Sequence, residues 1–157
     1  MAPDAEIVGV ELDAEVVRLA RTHFELDDLD IQVEIADALT WLEEAEGRFD
    51  AILEDVFIGR GDDVHKPEWI PEPAHRLARR LLARGGVLVS NTLDEHPRVL
   101  REMRGSFARV VSIEVEDYDN RVLVAGPEGL SGLALRRKVL ASPVLAGTAP
   151  ILTFRTR

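Results

Sequence analysis

Short apolar runs alternate with amphipathic stretches over the first hundred residues of the chain. The β-branched and apolar runs at residues 6–11, 49–56 and 87–90 predict buried parallel strands. Residues 31–35 alternate between apolar and polar positions, which predicts a half-exposed outer strand. Between these runs, apolar residues recur at helical spacing. Helices are predicted from Asp13 to about residue 24, from Asp37 to residue 46, from residue 73 to about 84, and from Asp94 to residue 104.

The pattern changes beyond residue 105. Two apolar runs, 110–115 and 122–124, flank the polar sequence Asp-Tyr-Asp-Asn, which is typical of an antiparallel hairpin. A helix is predicted near residues 133–140, and residues 139–157 form an apolar tail. The succession predicts an α/β protein with a doubly wound, mostly parallel sheet that closes with a C-terminal antiparallel hairpin. The length fits a single domain over residues 1–157.

Composition narrows the classes of function. The net charge of −10 argues against a nucleic-acid partner, and it suits either a cationic substrate or simply a solvated surface. The chain has no cysteine, and its four histidines lack the helical spacing of a zinc site, so we predict no metal. No secretory signal or membrane-spanning apolar segment is evident. We therefore expect no membrane partner and a cytoplasmic location.

Acidic residues follow three of the predicted strands. Glu11 ends the first strand, Asp37 lies two residues past the second, and Asp55 lies at the end of the third. Ligands of doubly wound sheets bind beyond the carboxyl ends of the strands. These three acids are therefore the first candidates for a binding site.

Four segments match, in order, a known superfamily. They are GVELDAEVVRLARTHF (residues 9–24), IADALTWL (35–42), FDAILEDVF (49–57) and LARGGVLVSN (82–91). Over residues 6–125 the chain resembles the S-adenosylmethionine-dependent methyltransferases, and within them the spermidine synthase-like proteins. The resemblance implies a Rossmann-like methyltransferase fold. It also implies S-adenosylmethionine, or its decarboxylated form, as a substrate.

The resemblance also implies residues that bind the nucleoside. Glu11 matches the carboxylate that accepts both ribose hydroxyls, a role that suits two oxygens side by side. Asp37 and Ala38 match the residues that meet the adenine amino group and ring edge, and Leu12 would pack on the adenine face. Simpler interpretations stay open: Glu11 as a solvated strand-end acid, Asp37 as a helix cap, and Leu12 as an ordinary apolar residue.

Asp55 matches the first acid of the family's catalytic loop. In aminopropyl transfer, a neutral small-molecule amine attacks the carbon next to the sulfonium, and a carboxylate can position the amine and accept its proton. In a methyltransferase the same position more often lines the cofactor pocket. Glu54 should point to the opposite face of the strand. The family's second acid, three residues after the first, is Ile58 here, although the loop contains two further acids, Asp62 and Asp63.

Only five residues precede the first predicted strand, so the family's own first strand and glycine-rich loop are predicted to be missing. The gap could be closed by direct pairing of the flanking strands, by residues 151–157, or by another chain, as in a homodimer. The chain could also be a truncated part of a longer protein. Three functions stay open: a spermidine synthase-like transferase, a non-catalytic remnant that acts in assembly, and a small-molecule methyltransferase.

Overall fold

The strands and helices that the hydrophobic pattern predicts follow one another in the predicted order in the computed structural model, together with three further strands that it does not predict. The structure describes residues 5–61 and 63–157. It falls into two compact units, Met1–Ala45 and Glu46–Arg157. A single domain over residues 1–157 stays a prediction. No helix in the described ranges is long and apolar enough to cross a membrane.

The first unit is built on one parallel strand pair. Strand β1 (Ile7–Glu11) pairs with β2 (Ile31–Ile35), and helix α1 (Ala14–His23) makes the crossover that a parallel pair requires. Helix α2 (Ala38–Glu44) follows β2. Its Trp41 donates a hydrogen bond from Nε1 to Glu34 Oε2 of β2 at 2.6 Å, which ties helix to strand.

Burial in the first unit is lower than the sequence predicts. The prediction of a buried first strand is wrong, because Ile7 is 48% exposed. Of the apolar residues on α1, Val17 is buried, whereas Val16 and Leu19 are exposed. A two-stranded sheet offers little apolar surface for a helix to cover, which explains the difference.

The second unit contains a five-stranded sheet of order β3-β6-β8-β7-β9. In the part of the chain that the structure describes, β3 and β6 pair in parallel, and each later pairing in this sheet is antiparallel. A separate short hairpin, β4 with β5, follows β3. The elements of the unit are β3 (Phe49–Glu54), β4 (Ile58–Arg60), β5 (Asp63–His65), α3 (Ala74–Leu81), β6 (Leu82–Thr92), α4 (His96–Ser106), β7 (Arg109–Val115), β8 (Arg121–Gly126), α5 (Gly132–Ala141) and β9 (Leu152–Thr156).

Several element boundaries differ from the predictions, most of all around the end of α3. Helix α3 ends at Leu81 rather than near residue 84, because β6 begins at Leu82 and continues through the two glycines that were expected to end the helix. Gly85 adopts φ +88°, and a Cβ at Gly86 would lie 3.0 Å from the Phe49 carbonyl oxygen, so both positions favour glycine. Helix α4 is preceded by Glu95 as the N-cap residue instead of Asp94.

The C-terminal part of the chain is more ordered than an apolar tail. The predicted hairpin is confirmed as β7 and β8, and the predicted helix as α5. Strand β9, however, was not predicted. It pairs antiparallel with β7, from Val111 opposite Thr156 to Val115 opposite Leu152, so these residues extend that side of the sheet and do not supply a central strand.

The core of the second unit lies against two helices: α4 packs on β7 and β8, and α3 packs on β6. Its largest fully buried apolar residues come from these elements and from the segment before α3: Ile70, Leu81, Leu88, Val99, Met103, Val110, Val111 and Leu123. The unit therefore provides a rigid base for the residues at the carboxyl ends of β3 and β6.

Candidate active site

Two of the predicted nucleoside-binding acids lie at the same end of the first unit's sheet. Glu11 is the last residue of β1 and is paired with Ile35, the last residue of β2. The amide of Ala36 donates to the Glu11 carbonyl oxygen at 3.0 Å, so the chain leaves both strands side by side. Asp37 follows directly. The structure thus brings Glu11, Leu12, Asp37 and Ala38 to one edge, as the sequence predicts.

Glu11 is held by its own turn. Its Oε1 accepts a hydrogen bond from the amide of Asp13 at 2.9 Å, and Asp13 in turn caps α1 by accepting from the amide of Glu15 at 2.8 Å. No described residue donates to Glu11 Oε2. Leu12, between them, is 69% exposed. Two consecutive residues of the turn thus provide a carboxylate oxygen without a described donor and an exposed apolar side chain.

Asp37 is the N-cap of α2. Its Oδ1 accepts from the Thr40 amide at 2.9 Å and from the Thr40 hydroxyl at 3.1 Å. Ala38 is the first helical residue. The helix-cap interpretation of Asp37 is therefore confirmed. A contact of Asp37 and Ala38 with adenine stays a prediction, and so do the roles of Glu11 and Leu12.

Asp55 lies in the second unit, directly after β3, with its side chain exposed. Its Oδ1 accepts a hydrogen bond from Asn91 Nδ2 at 3.0 Å, and Asn91 Oδ1 accepts from Asn120 Nδ2 at 3.1 Å. Because each Asn91 amide atom has one partner, its amide plane is fixed with the donor toward Asp55. No described residue donates to Asp55 Oδ2. One carboxylate oxygen is thus held and the other is open to a ligand.

Glu54, the preceding residue, is directed into the protein. Its Oε1 accepts from Lys66 Nζ at 2.6 Å and from the Val56 amide at 2.9 Å, and its Oε2 accepts from the Ser90 hydroxyl at 2.6 Å. His75 Nε2 lies 3.5 Å from the same Oε2. Burial acts to raise the pKa of Glu54, but His75, Lys66 and Ser90 together outweigh it and hold the pKa below its usual value.

The loop after Asp55 does not restore the family's second acid at its usual position. Ile58, which stands there, begins β4 and is 47% exposed. Asp63 begins β5 with its side chain 91% exposed, and its Oδ1 lies 3.4 Å from His65 Nδ1. Asp62 lies outside the described residues. A role of Asp63 as the second acid stays a prediction, because the structure describes no contact between it and Asp55.

The sequence predictions missed Asn91, Asn120 and the partners of Glu54. Asn91 carried a usable signal, because it lies in the last segment of the resemblance and at the carboxyl end of a strand, where the acids were sought. Lys66, one of only two lysines, was a weaker signal. Within the described ranges no group of three or more His, Asp or Glu side chains is placed to hold a metal ion.

Comparison with known proteins identifies the class of this fold. A family model described as a methyltransferase domain matches residues 1–123. The chain therefore belongs to this family of methyltransferase domains. The predicted resemblance to spermidine synthase-like proteins of the superfamily and the predicted Rossmann-like α/β fold class are both confirmed. The absence of the fold's first strand stays a prediction.

The relatives include a polyamine aminopropyltransferase, a probable spermidine synthase and a methyltransferase-like protein. The chain is 31% identical, over 165 residues, to a polyamine aminopropyltransferase of Mycobacterium tuberculosis, covering 95% of this chain but 30% of the relative. A probable spermidine synthase from Corynebacterium glutamicum matches 98% of this chain and 58% of its own, with a TM-score of 0.73 and 23% identity. Human methyltransferase-like protein 13 in complex with SAH matches with a TM-score of 0.67 at 23% identity, over 80% of this chain and 62% of its own. The chain thus spans about a third of the curated relative's length.

Proposed function

We propose that this chain is a transferase domain that binds S-adenosylmethionine or its decarboxylated form and transfers an aminopropyl group to a small-molecule amine. The similarity to a polyamine aminopropyltransferase supports the reaction. The SAH in the structure of human methyltransferase-like protein 13 supports the class of nucleoside ligand. The chain spans only part of the length of these proteins. The proposal therefore covers only the reaction that the residues of this chain can perform.

The observation that carries the proposal is the position of Asp55. Its carboxylate is exposed at the carboxyl end of β3, held through Oδ1 by Asn91 and open at Oδ2. In the proposed reaction the lone pair of a neutral amine forms a C–N bond to the carbon beside the sulfonium. The C–S bond breaks, and its electron pair stays on sulfur to give the neutral thioether methylthioadenosine. Asp55 Oδ2 accepts the proton that the new ammonium releases.

The residues proposed to bind the nucleoside lie in the first unit. We propose that Glu11 Oε2 accepts from the ribose hydroxyls, that Leu12 packs on the adenine face, and that Asp37 and Ala38 meet the adenine edge. A carboxylate can accept two neighbouring donors, which is the pattern that a ribose diol presents. The exposure of Leu12 and the open oxygen of Glu11 support this assignment.

Methyl transfer is the second candidate function. It is favoured by the match to a methyltransferase-domain model and by the SAH complex of the human protein. In that case S-adenosylmethionine donates its methyl group and Asp55 lines the pocket. A non-catalytic role in assembly is the third candidate function, and a homodimer and a cytoplasmic location stay predictions.

The test combines binding with product analysis. Calorimetry would measure the binding of S-adenosylmethionine, its decarboxylated form and methylthioadenosine, and chromatography would detect methylthioadenosine formed in the presence of a diamine. We expect binding of the decarboxylated form and release of methylthioadenosine. Asp55→Asn should lower kcat/KM by about 10²- to 10⁴-fold, the usual contribution of a positioned general base. Glu11→Gln should weaken binding of all three nucleosides.

Matched variants serve as controls. Asp50→Asn makes the same change at the other end of β3, and Glu6→Gln makes the same change as Glu11→Gln just before β1, at exposed positions in both cases. Both controls should behave as wild type. S-adenosylhomocysteine as the product would establish the methyltransferase alternative. No binding at millimolar nucleoside would refute both enzyme hypotheses for this chain.

A further inference from the structure

The polar cluster around Glu54 joins four parts of the second unit. Glu54 ends β3, Lys66 directly follows β5, His75 lies in the first turn of α3, and Ser90 lies on β6. The side chains of Lys66 and Glu54 are 0% and 9% exposed, and His75 and Ser90 are buried as well. Neither ring nitrogen of His75 has a hydrogen-bond partner among the described residues, so the bonds of the cluster join Glu54, Lys66 and Ser90. They hold the end of β3 and the residue after β5 against β6.

The ammonium group of Lys66 contacts three groups of the protein. Nζ donates to Glu54 Oε1 at 2.6 Å and to the Val56 carbonyl oxygen at 3.3 Å, and it lies 4.0 Å from the centre of the Phe57 ring. A buried ion pair is tolerated only when such additional contacts satisfy both partners. The pair thus depends on the positions of Val56 and Phe57, and it holds those residues in return.

Two consequences follow for the neighbouring groups. Asp55 lies between Glu54 and Val56, and the Glu54 carboxylate accepts the Val56 amide at 2.9 Å, so the backbone on both sides of Asp55 is fixed. The hairpin of β4 and β5 leaves from Phe57 and returns to Lys66. Its own apolar side chains, Ile58 and Val64, are 47% and 42% exposed, so its base is the part that is anchored in the core.

We propose that Glu54 and Lys66 form a buried clamp that positions Asp55 and the β4–β5 hairpin relative to the end of the sheet. They are positioning residues and do not touch the substrate. The structural part of this inference is independent of the reaction, whereas its effect on catalysis rests on the proposed function.

Amide hydrogen exchange tests the structural part. The double variant Glu54→Gln/Lys66→Met removes both charges together and so avoids leaving either one buried alone. We expect the backbone amides of Val56, β4 and β5 to exchange at least about tenfold faster, while those of β7 and β8 stay unchanged. If the double variant does not fold, Ser90→Ala removes one hydrogen bond to Glu54 and should give a smaller acceleration in the same segment. A folded variant with wild-type exchange in the hairpin would overturn the clamp.

Kinetics test the positioning role. In an active wild-type protein, the double variant should lower kcat at least tenfold and leave the affinity for methylthioadenosine unchanged. The matched control is Glu114→Gln/Arg155→Met, which removes the ion pairs of Glu114 with Arg155 and Arg157 elsewhere in the same unit and should keep the wild-type kcat. An unchanged kcat in the clamp variant would overturn the positioning role. If wild type shows no transfer, the proposed function fails, and the exchange measurement alone decides whether the clamp exists.

Discussion

The carboxylates at the ends of the strands have hydrogen-bond partners close in sequence in the first unit and distant in sequence in the second. In the first unit, Glu11 and Asp37 accept hydrogen bonds from residues two and three positions further along the chain. In the second, the partners of Glu54 and Asp55 include residues up to 36 positions away. Local bonds form wherever the turn forms, whereas distant partners are held only by the complete sheet. The second arrangement therefore depends on the whole unit.

Burial shows the same contrast. The second unit contains residues at 0% exposure on four elements, among them Leu88, Met103 and Leu123. In α1 and β1 of the first unit, Val17 is the only buried residue that the structure describes. We therefore expect substitutions of equal chemistry to have large effects in the second unit and small ones in the first.

The largest effect is expected when the buried ion pair loses one partner. Lys66→Met leaves the Glu54 charge buried without its cation, which should lower the free energy of unfolding by about 3–5 kcal/mol. The corresponding change in the first unit, Arg18→Met, removes an exposed ion pair with Glu15 and should have no measurable effect. Urea unfolding followed by circular dichroism measures both. Equal losses in the two variants would remove the contrast between the units.

A smaller effect is expected from cavities. Leu88→Ala truncates a fully buried residue of β6 and should cost about 2–5 kcal/mol. Leu19→Ala removes the same atoms from α1, where the side chain is 38% exposed, and should cost roughly 1 kcal/mol or less. Thermal unfolding of the two variants gives the comparison. A cost at Leu19 equal to that at Leu88 would show that the first unit is packed as tightly as the second.

The sequence predicts the parts of the fold that local chemistry determines. The N-caps Asp13 and Asp37, the hairpin of β7 and β8, and the alternating strands and helices were all predicted correctly. Two features were missed because long-range pairing overrode the local signal. The residues after Leu81 have helical spacing, yet they pair with β3, and β9 looks like a tail until β7 offers an edge.

In the candidate site, too, the residues that local sequence reveals differ from those that only long-range pairing brings together. Glu11, Asp37 and Asp55 could be found because an acid at a strand end is visible in the sequence. The approach of Asn91 to Asp55 and of Lys66 to Glu54 depends on strand order and on the path of a hairpin. Neither can be obtained from spacing along the chain. The orientation of Glu54 away from Asp55 followed from strand alternation, but its buried partners did not.

The smallest effect is expected from a buried histidine of the second unit, through the pH dependence of the free energy of unfolding. His96, in the second unit, is 6% exposed, and its Nδ1 lies 3.2 Å from the Thr92 hydroxyl. That hydroxyl donates its single hydrogen to the Arg121 carbonyl oxygen at 2.7 Å, so toward His96 it can only accept. The neutral imidazole of His96 therefore carries its proton on Nδ1. Burial lowers the pKa of His96, and the positive charges of Arg121 and Arg157 lower it further, against the weaker opposing effects of Glu114 and Glu95.

The sign of the effect follows from proton binding. Between the ordinary pKa of 6.5 and the lower folded pKa of His96, the unfolded chain binds more protons than the folded one. The free energy of unfolding is therefore highest above pH 6.5. It falls as the pH drops through this window and levels off below the folded pKa. Urea unfolding between pH 8 and pH 5 should show this loss in wild type. His96→Asn, which keeps a donor toward Thr92 but does not titrate, should show a smaller loss over the same range. Identical pH profiles would mean that the loss comes from other groups and that His96 does not contribute to it.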